Sequence, residues 1–247
     1  MTKLYQKSEI TFAVLWIAAY VVLSSLADQI SESLGVVKSV TAVLHIVMSL
    51  ILYFWIRRNN LSNKYGFCRS AVPAEKFLYY LPLVIIASTA FWGGIKVQYG
   101  FPDALMYVIS MLCVGFLEEV IFRGLLFRAM EKDNLKKAVI VSALTFGIGH
   151  IVNLFNGSGR DPMSSLIQVV FAVFVGFVLV LIFHYGGSLI PCIVFHSANN
   201  AFKIFEADQI MDPKMEMVVN LILIFAVLGG YLLYLIRTFS KEADSRS

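Results

Sequence analysis

The chain has 247 residues, of which 59% are hydrophobic and only 15% charged, and its mean hydropathy is +0.78. A soluble domain is nearer half apolar and a quarter charged, so this excess is too large to bury in one compact core of this length. That excludes an ordinary soluble globule, a disordered chain and a disulfide scaffold. The expected class is all-α: a polytopic bundle of transmembrane helices forming one integral-membrane domain over residues 1–247. The net charge of +4 implies no nucleic-acid partner, because the basic residues sit in loops and not on one face. Cys68, Cys113 and Cys192 lie far apart, giving neither a metal motif nor a disulfide framework.

A spanning helix needs about 20 mostly apolar residues. Eight windows qualify, in chain order: Ile10–Ala27, Val36–Ile56, Phe77–Ile95, Ala104–Phe127, Ala138–Phe155, Leu166–His184, Leu189–Phe205 and Met217–Ile236. The first ends in Ser25-Leu26-Ala27, which has the small residues of a signal-cleavage site. Its apolar run is longer than a signal core, so it reads as a span. The seventh is the weakest, being short and carrying His196, Asn199, Asn200 and Lys203.

Loop charges set the orientation. With a cytoplasmic N-terminus, the inner segments hold fourteen basic residues: Lys3, Lys7, Arg57, Arg58, Lys64, Arg69, Lys76, Arg128, Lys132, Lys136, Lys137, Arg237, Lys241 and Arg246. The outer segments hold four, Lys38, Lys96, Arg160 and Lys214, and the outer stretch Glu206–Glu216 is acidic. Both termini are therefore expected in the cytoplasm. The compact form with short loops suggests a bacterial plasma membrane.

Three charges stand inside the fourth window, Glu118, Glu119 and Arg123. Each costs roughly 2.5–3.5 kcal/mol at a helix centre, so they must face protein or water. Glu119 and Arg123 are four apart on one face and can pair. Glu118 points about 100° away from Glu119 and is left as the general base. Gly115, one turn earlier, is expected to leave room for water or a substrate backbone. The alternative for the trio is a structural ion pair that locks the bundle.

In the fifth window, Phe146 and His150 share a face, with Gly147 and Gly149 allowing a neighbouring helix close. In the seventh, His196 and Asn200 share a face and can donate to one developing oxyanion, or act as interhelical glue. His45 and His184 read as hydrogen-bonded packing residues. No His-Glu-x-x-His helix and no Gly-x-Ser-x-Gly elbow is present, and no aspartate pair lies within the spans. A dyad using Ser197 would leave Glu118 without a role.

Taken in order, Glu118-Glu119-x-x-x-Arg123, Phe146-x-x-x-His150 and His196-x-x-x-Asn200 resemble the CPBP family of intramembrane proteases. It is also called the CAAX-protease or Abi family, and includes the type II CAAX prenyl endopeptidase. The core motif region is residues 104–205. The resemblance implies an intramembrane polar cavity in which Glu118 and His150 activate water. His196 and Asn200 would form the oxyanion hole, with Glu119, Arg123 and Phe146 in support. The implied substrate is a membrane-embedded or membrane-anchored peptide or protein, and bacteriocin processing or self-immunity is the expected setting. Glu118, His150 and His196 could also supply the three ligands of an open zinc site. Asn200 beside His196 fits an oxyanion pair better than a metal shell, so no cofactor is favoured. The competing readings are a non-catalytic immunity or binding partner and a proton-coupled transporter. Against the second, no inverted repeat is visible.

Overall fold

The computed structural model describes residues 1–97, 99–151, 162–207 and 212–244. The described residues are helical throughout, apart from turns and one isolated antiparallel bridge between Ile95 and Glu206. The helices are α1 (Thr2–Lys7), α2 (Glu9–Ser33), α3 (Ser39–Arg58), α4 (Leu81–Ser88), α5 (Asp103–Glu118), α6 (Arg128–Glu131), α7 (Leu135–Gly149), α8 (Pro162–Gly186), α9 (Ile190–Ala201), α10 (Pro213–Ile222) and α11 (Gly230–Asp244).

Among the described residues, six helical stretches are long and apolar enough to cross a membrane: Glu9–Ser33, Ser39–Arg58, Ala74–Phe91, Asp103–Glu131, Pro162–Gly186 and Met215–Ser240. The protein is an integral multi-pass membrane protein, with six such spans rather than the eight expected. The fifth and seventh windows fold as α7 and α9, of 15 and 12 residues. At 1.5 Å per residue these reach about 22 and 18 Å, short of a hydrocarbon core of about 30 Å. A hydropathy window registers apolar content, not where the helix stops. Here the fifth window ran past the helix end at Gly149, and in the seventh the α-helix gives way at Ala201 to a 3-10 turn over Phe202–Phe205. The end of the fifth window, residues 152–155, lies outside the described residues, as do Arg160 and Arg246.

The outward surface explains the composition. Val14, Val22, Leu26 and Phe54 are each at least half exposed, an apolar exposure that calls for lipid rather than water. Ser8 caps α2 by accepting the Thr11 N–H at 3.1 Å. The α2–α3 hairpin turns through Gly35 (φ +69°) and is clipped by Lys38 Nζ to Asp28 Oδ2 at 2.8 Å. The third span breaks near its start, where Leu78, Tyr79 and Tyr80 have positive φ. The carbonyl of Phe77 beside this break accepts from the Tyr231 hydroxyl at 2.8 Å.

Two glycine contacts make one close crossing between the inner helices α7 and α8. A Cβ on Gly147 would lie 2.2 Å from Val173 Cγ2, and one on Gly176 would lie 3.0 Å from Ala143 Cα, so α7 and α8 approach closely. Gly149, by contrast, has nothing within 4 Å of a built Cβ. Between α5 and α6 the helix runs as a π-helix over Glu119–Phe127, and all nine residues are buried. Such i→i+5 turns are rare and recur at functional sites.

Candidate active site

The site forms where the α5–π-helix junction meets α7 and α9. Glu119 and Arg123 are completely buried, with Arg123 Nη1 3.2 Å from Glu119 Oε1. The pairing expected from their spacing is present, and it lets two charges sit inside the bundle. Arg123 also lies over the face of Phe146, 4.0 Å from the ring centroid, a cation–π contact in a desolvated setting. Phe146 is 3% exposed and is the hub of the site. Its ring centroid is 5.2 Å from that of His150 and 5.5 Å from that of His196, edge-on in both cases.

His196 joins the two carboxylates. Its Nδ1–H donates to Glu119 Oε1 at 2.7 Å, and its Nε2 lies 3.5 Å from Glu118 Oε2. Glu119 therefore orients a histidine as well as pairing with Arg123, a role its spacing did not reveal. Glu118 stands within reach of a histidine, as a hydrolytic base requires. Its Oε1 accepts from the Tyr20 hydroxyl at 2.7 Å, while its buried Oε2 has no hydrogen-bond partner.

His150 caps α7. Its Nδ1 donates to the Phe146 carbonyl at 3.0 Å. A carbonyl only accepts, so the neutral ring keeps its lone pair on Nε2. His150 is within electrostatic range of both Glu118 and His196. Asn200 follows His196 by one turn of α9 and is half-buried. Its backbone carbonyl accepts from the Tyr107 hydroxyl at 3.5 Å. Glu118, His150 and Asn200 are partly accessible, and His196 is 5% exposed. Surface concavities of about 450 and 670 Å³ lie elsewhere, beside α1.

Gly115 departs from expectation. It leaves no room for a substrate: a Cβ there would lie 2.3 Å from Ser197 Oγ and 2.4 Å from the Ser197 nitrogen. Its role is to let α9 seat directly on α5. Ser197 donates to the Leu112 carbonyl at 3.0 Å, so its hydroxyl serves that crossing and not a nucleophilic dyad. His45 is the packing residue expected, bonded to Ser24 at 2.9 Å and Ser110 at 3.0 Å. His184 bonds Glu131 at 2.5 Å.

Among the described residues, no group of three His, Cys, Asp or Glu side chains is gathered that could hold a metal ion.

Residues 100–202 match the family model described as type II CAAX prenyl endopeptidase Rce1-like. The match supports the CAAX-protease family that the three motifs resemble, and with it an intramembrane CAAX-type protease activity. No curated protein and no solved structure matches the chain. Tyr20 lies outside the matched segment. The sequence signal for it was a polar stripe on an otherwise apolar span: Tyr20, Ser24 and Asp28, one turn apart.

Proposed function

We propose that the protein hydrolyses peptide bonds in a membrane-embedded or membrane-anchored peptide, using Glu118 and His150 to activate water and His196 and Asn200 to hold the oxyanion. The observation that carries this reading is the position of His196. Its Nδ1 is committed to Glu119 and its Nε2 is next to the unpartnered oxygen of Glu118.

The chemistry follows from these atoms. A water between Glu118 Oε2 and the free Nε2 of His150 attacks the scissile carbonyl carbon as its proton passes to Glu118. A C–O bond forms and the carbonyl π pair moves onto oxygen. The oxyanion then takes hydrogen bonds from His196 Nε2–H and the Asn200 amide. When the tetrahedral centre collapses, the C–N bond breaks and Glu118 returns its proton to the leaving amine. No step uses a metal.

In the same reading the membrane is a bacterial plasma membrane and both termini lie on its cytoplasmic side; an even number of candidate spans and the excess of basic residues in the inner loops support that orientation. Bacteriocin processing or self-immunity is the setting we assign.

The test uses purified protein in liposomes with a panel of quenched fluorescent peptides anchored by a lipid or a transmembrane segment. Cleavage by the wild type that disappears in Glu118→Ala and His150→Ala supports the reading. Equal cleavage in both variants rejects it.

A further inference from the structure

Glu118 has two oxygens with different surroundings, and Tyr20 creates the difference. The Tyr20 hydroxyl donates to Oε1 at 2.7 Å, leaving Oε2 as the oxygen beside His196. Tyr20 sits midway along α2, a helix whose outer face is largely exposed, yet the Tyr20 side chain is turned inward and is 8% exposed.

A brace from three helices holds it there. The Tyr20 and His45 rings lie 5.7 Å apart, tilted by 31°. His45, on α3, is 3% exposed and is fixed at both nitrogens: Nε2 to Ser24 one turn along α2 at 2.9 Å, and Nδ1 to Ser110 on α5 at 3.0 Å. Apolar residues would pack three membrane helices without burying hydroxyls and an imidazole, and each buried polar group must find a partner there. This one polar assembly ends on a carboxylate oxygen.

Building on the function proposed above, we infer that Tyr20 is a positioning residue: by holding Oε1 of Glu118, it presents Oε2 to the attacking water.

The experiment compares wild type, Tyr20→Phe, Ser110→Ala and Glu118→Gln in the same liposomes, with a cleaved lipid-anchored quenched peptide as probe. Tyr20→Phe keeps the ring and its packing and removes only the donor. A hydrogen bond to a charged group corresponds to a factor of about ten or more. We expect kcat to fall about tenfold with KM unchanged, a split that a merely structural loss would not give. Ser110→Ala loosens His45 and gives a smaller change in the same direction; it also reads the effect if Tyr20→Phe does not fold. A wild-type kcat in the folded Tyr20→Phe protein overturns the inference, as does a raised KM with kcat unchanged. If Glu118→Gln still cleaves at the wild-type rate, the proposed function itself fails. If Glu118→Gln is inactive while Tyr20→Phe and Ser110→Ala match wild type, only the role of Tyr20 falls.

Discussion

Substituting Gly115→Ala adds one carbon at the point where α9 crosses α5. That carbon would sit 2.4 Å from the Ser197 nitrogen and 2.6 Å from its Cα. Ordinary contact begins near 3.4 Å, so the two backbones must separate by about 1 Å, because no flexible side-chain end can yield instead. Overpacking of this kind costs about 1–3 kcal/mol, which a bundle of this size survives. The larger effect falls on the site. Ser197 adjoins His196, whose 2.7 Å bond to Glu119 and 3.5 Å approach to Glu118 are carried on the same turn. A displacement of about 1 Å in a reacting constellation lowers rates on the order of 100-fold. The assay pairs thermal unfolding in detergent with peptide cleavage in liposomes. The expected result is a folded protein, modestly destabilised, with activity down about 100-fold. Wild-type cleavage by Gly115→Ala would refute the claim that this crossing sets the position of His196.

Arg123→Met removes the cation facing a fully buried Glu119. Stranding such a charge costs about 3–5 kcal/mol, measurable as a lowered unfolding midpoint. Adding Glu119→Gln should recover part of that loss, whereas equal loss in the single and double variants would contradict the pairing. Incubation with a metal chelator should leave peptide cleavage unchanged, because the described donors do not gather three metal ligands. Loss of cleavage that is restored by zinc would overturn this.

The membrane class and much of the candidate site were legible because they rest on local rules. Charges placed in an apolar window must turn inward, and four-residue spacing brings Glu119 to Arg123 and Phe146 to His150. Helix lengths were less legible. The windows around His150 and His196 look like spans by composition, but α7 and α9 stop short and pack among other helices. Gly115 was misread for a related reason: a glycine permits close approach, and spacing along one helix does not name what approaches. The bond from Glu119 to His196 and that from Tyr20 to Glu118 join residues 77 and 98 positions apart. No periodicity within a helix reports contacts of that range. The switch to a π-helix after Glu118 was likewise hidden, since its residues suit an α-helix equally well.

The central claim is that Glu118 carries the proton from water to the leaving amine. The most direct measurement is kcat of Glu118→Gln against wild type on one lipid-anchored quenched peptide in liposomes, with unfolding midpoints matched. Glutamine keeps the shape and can still accept from Tyr20, but it cannot take the proton. General acid–base catalysis is worth about 10²–10⁴-fold, and we predict a loss in that range with KM little changed. A kcat within threefold of wild type would contradict the account.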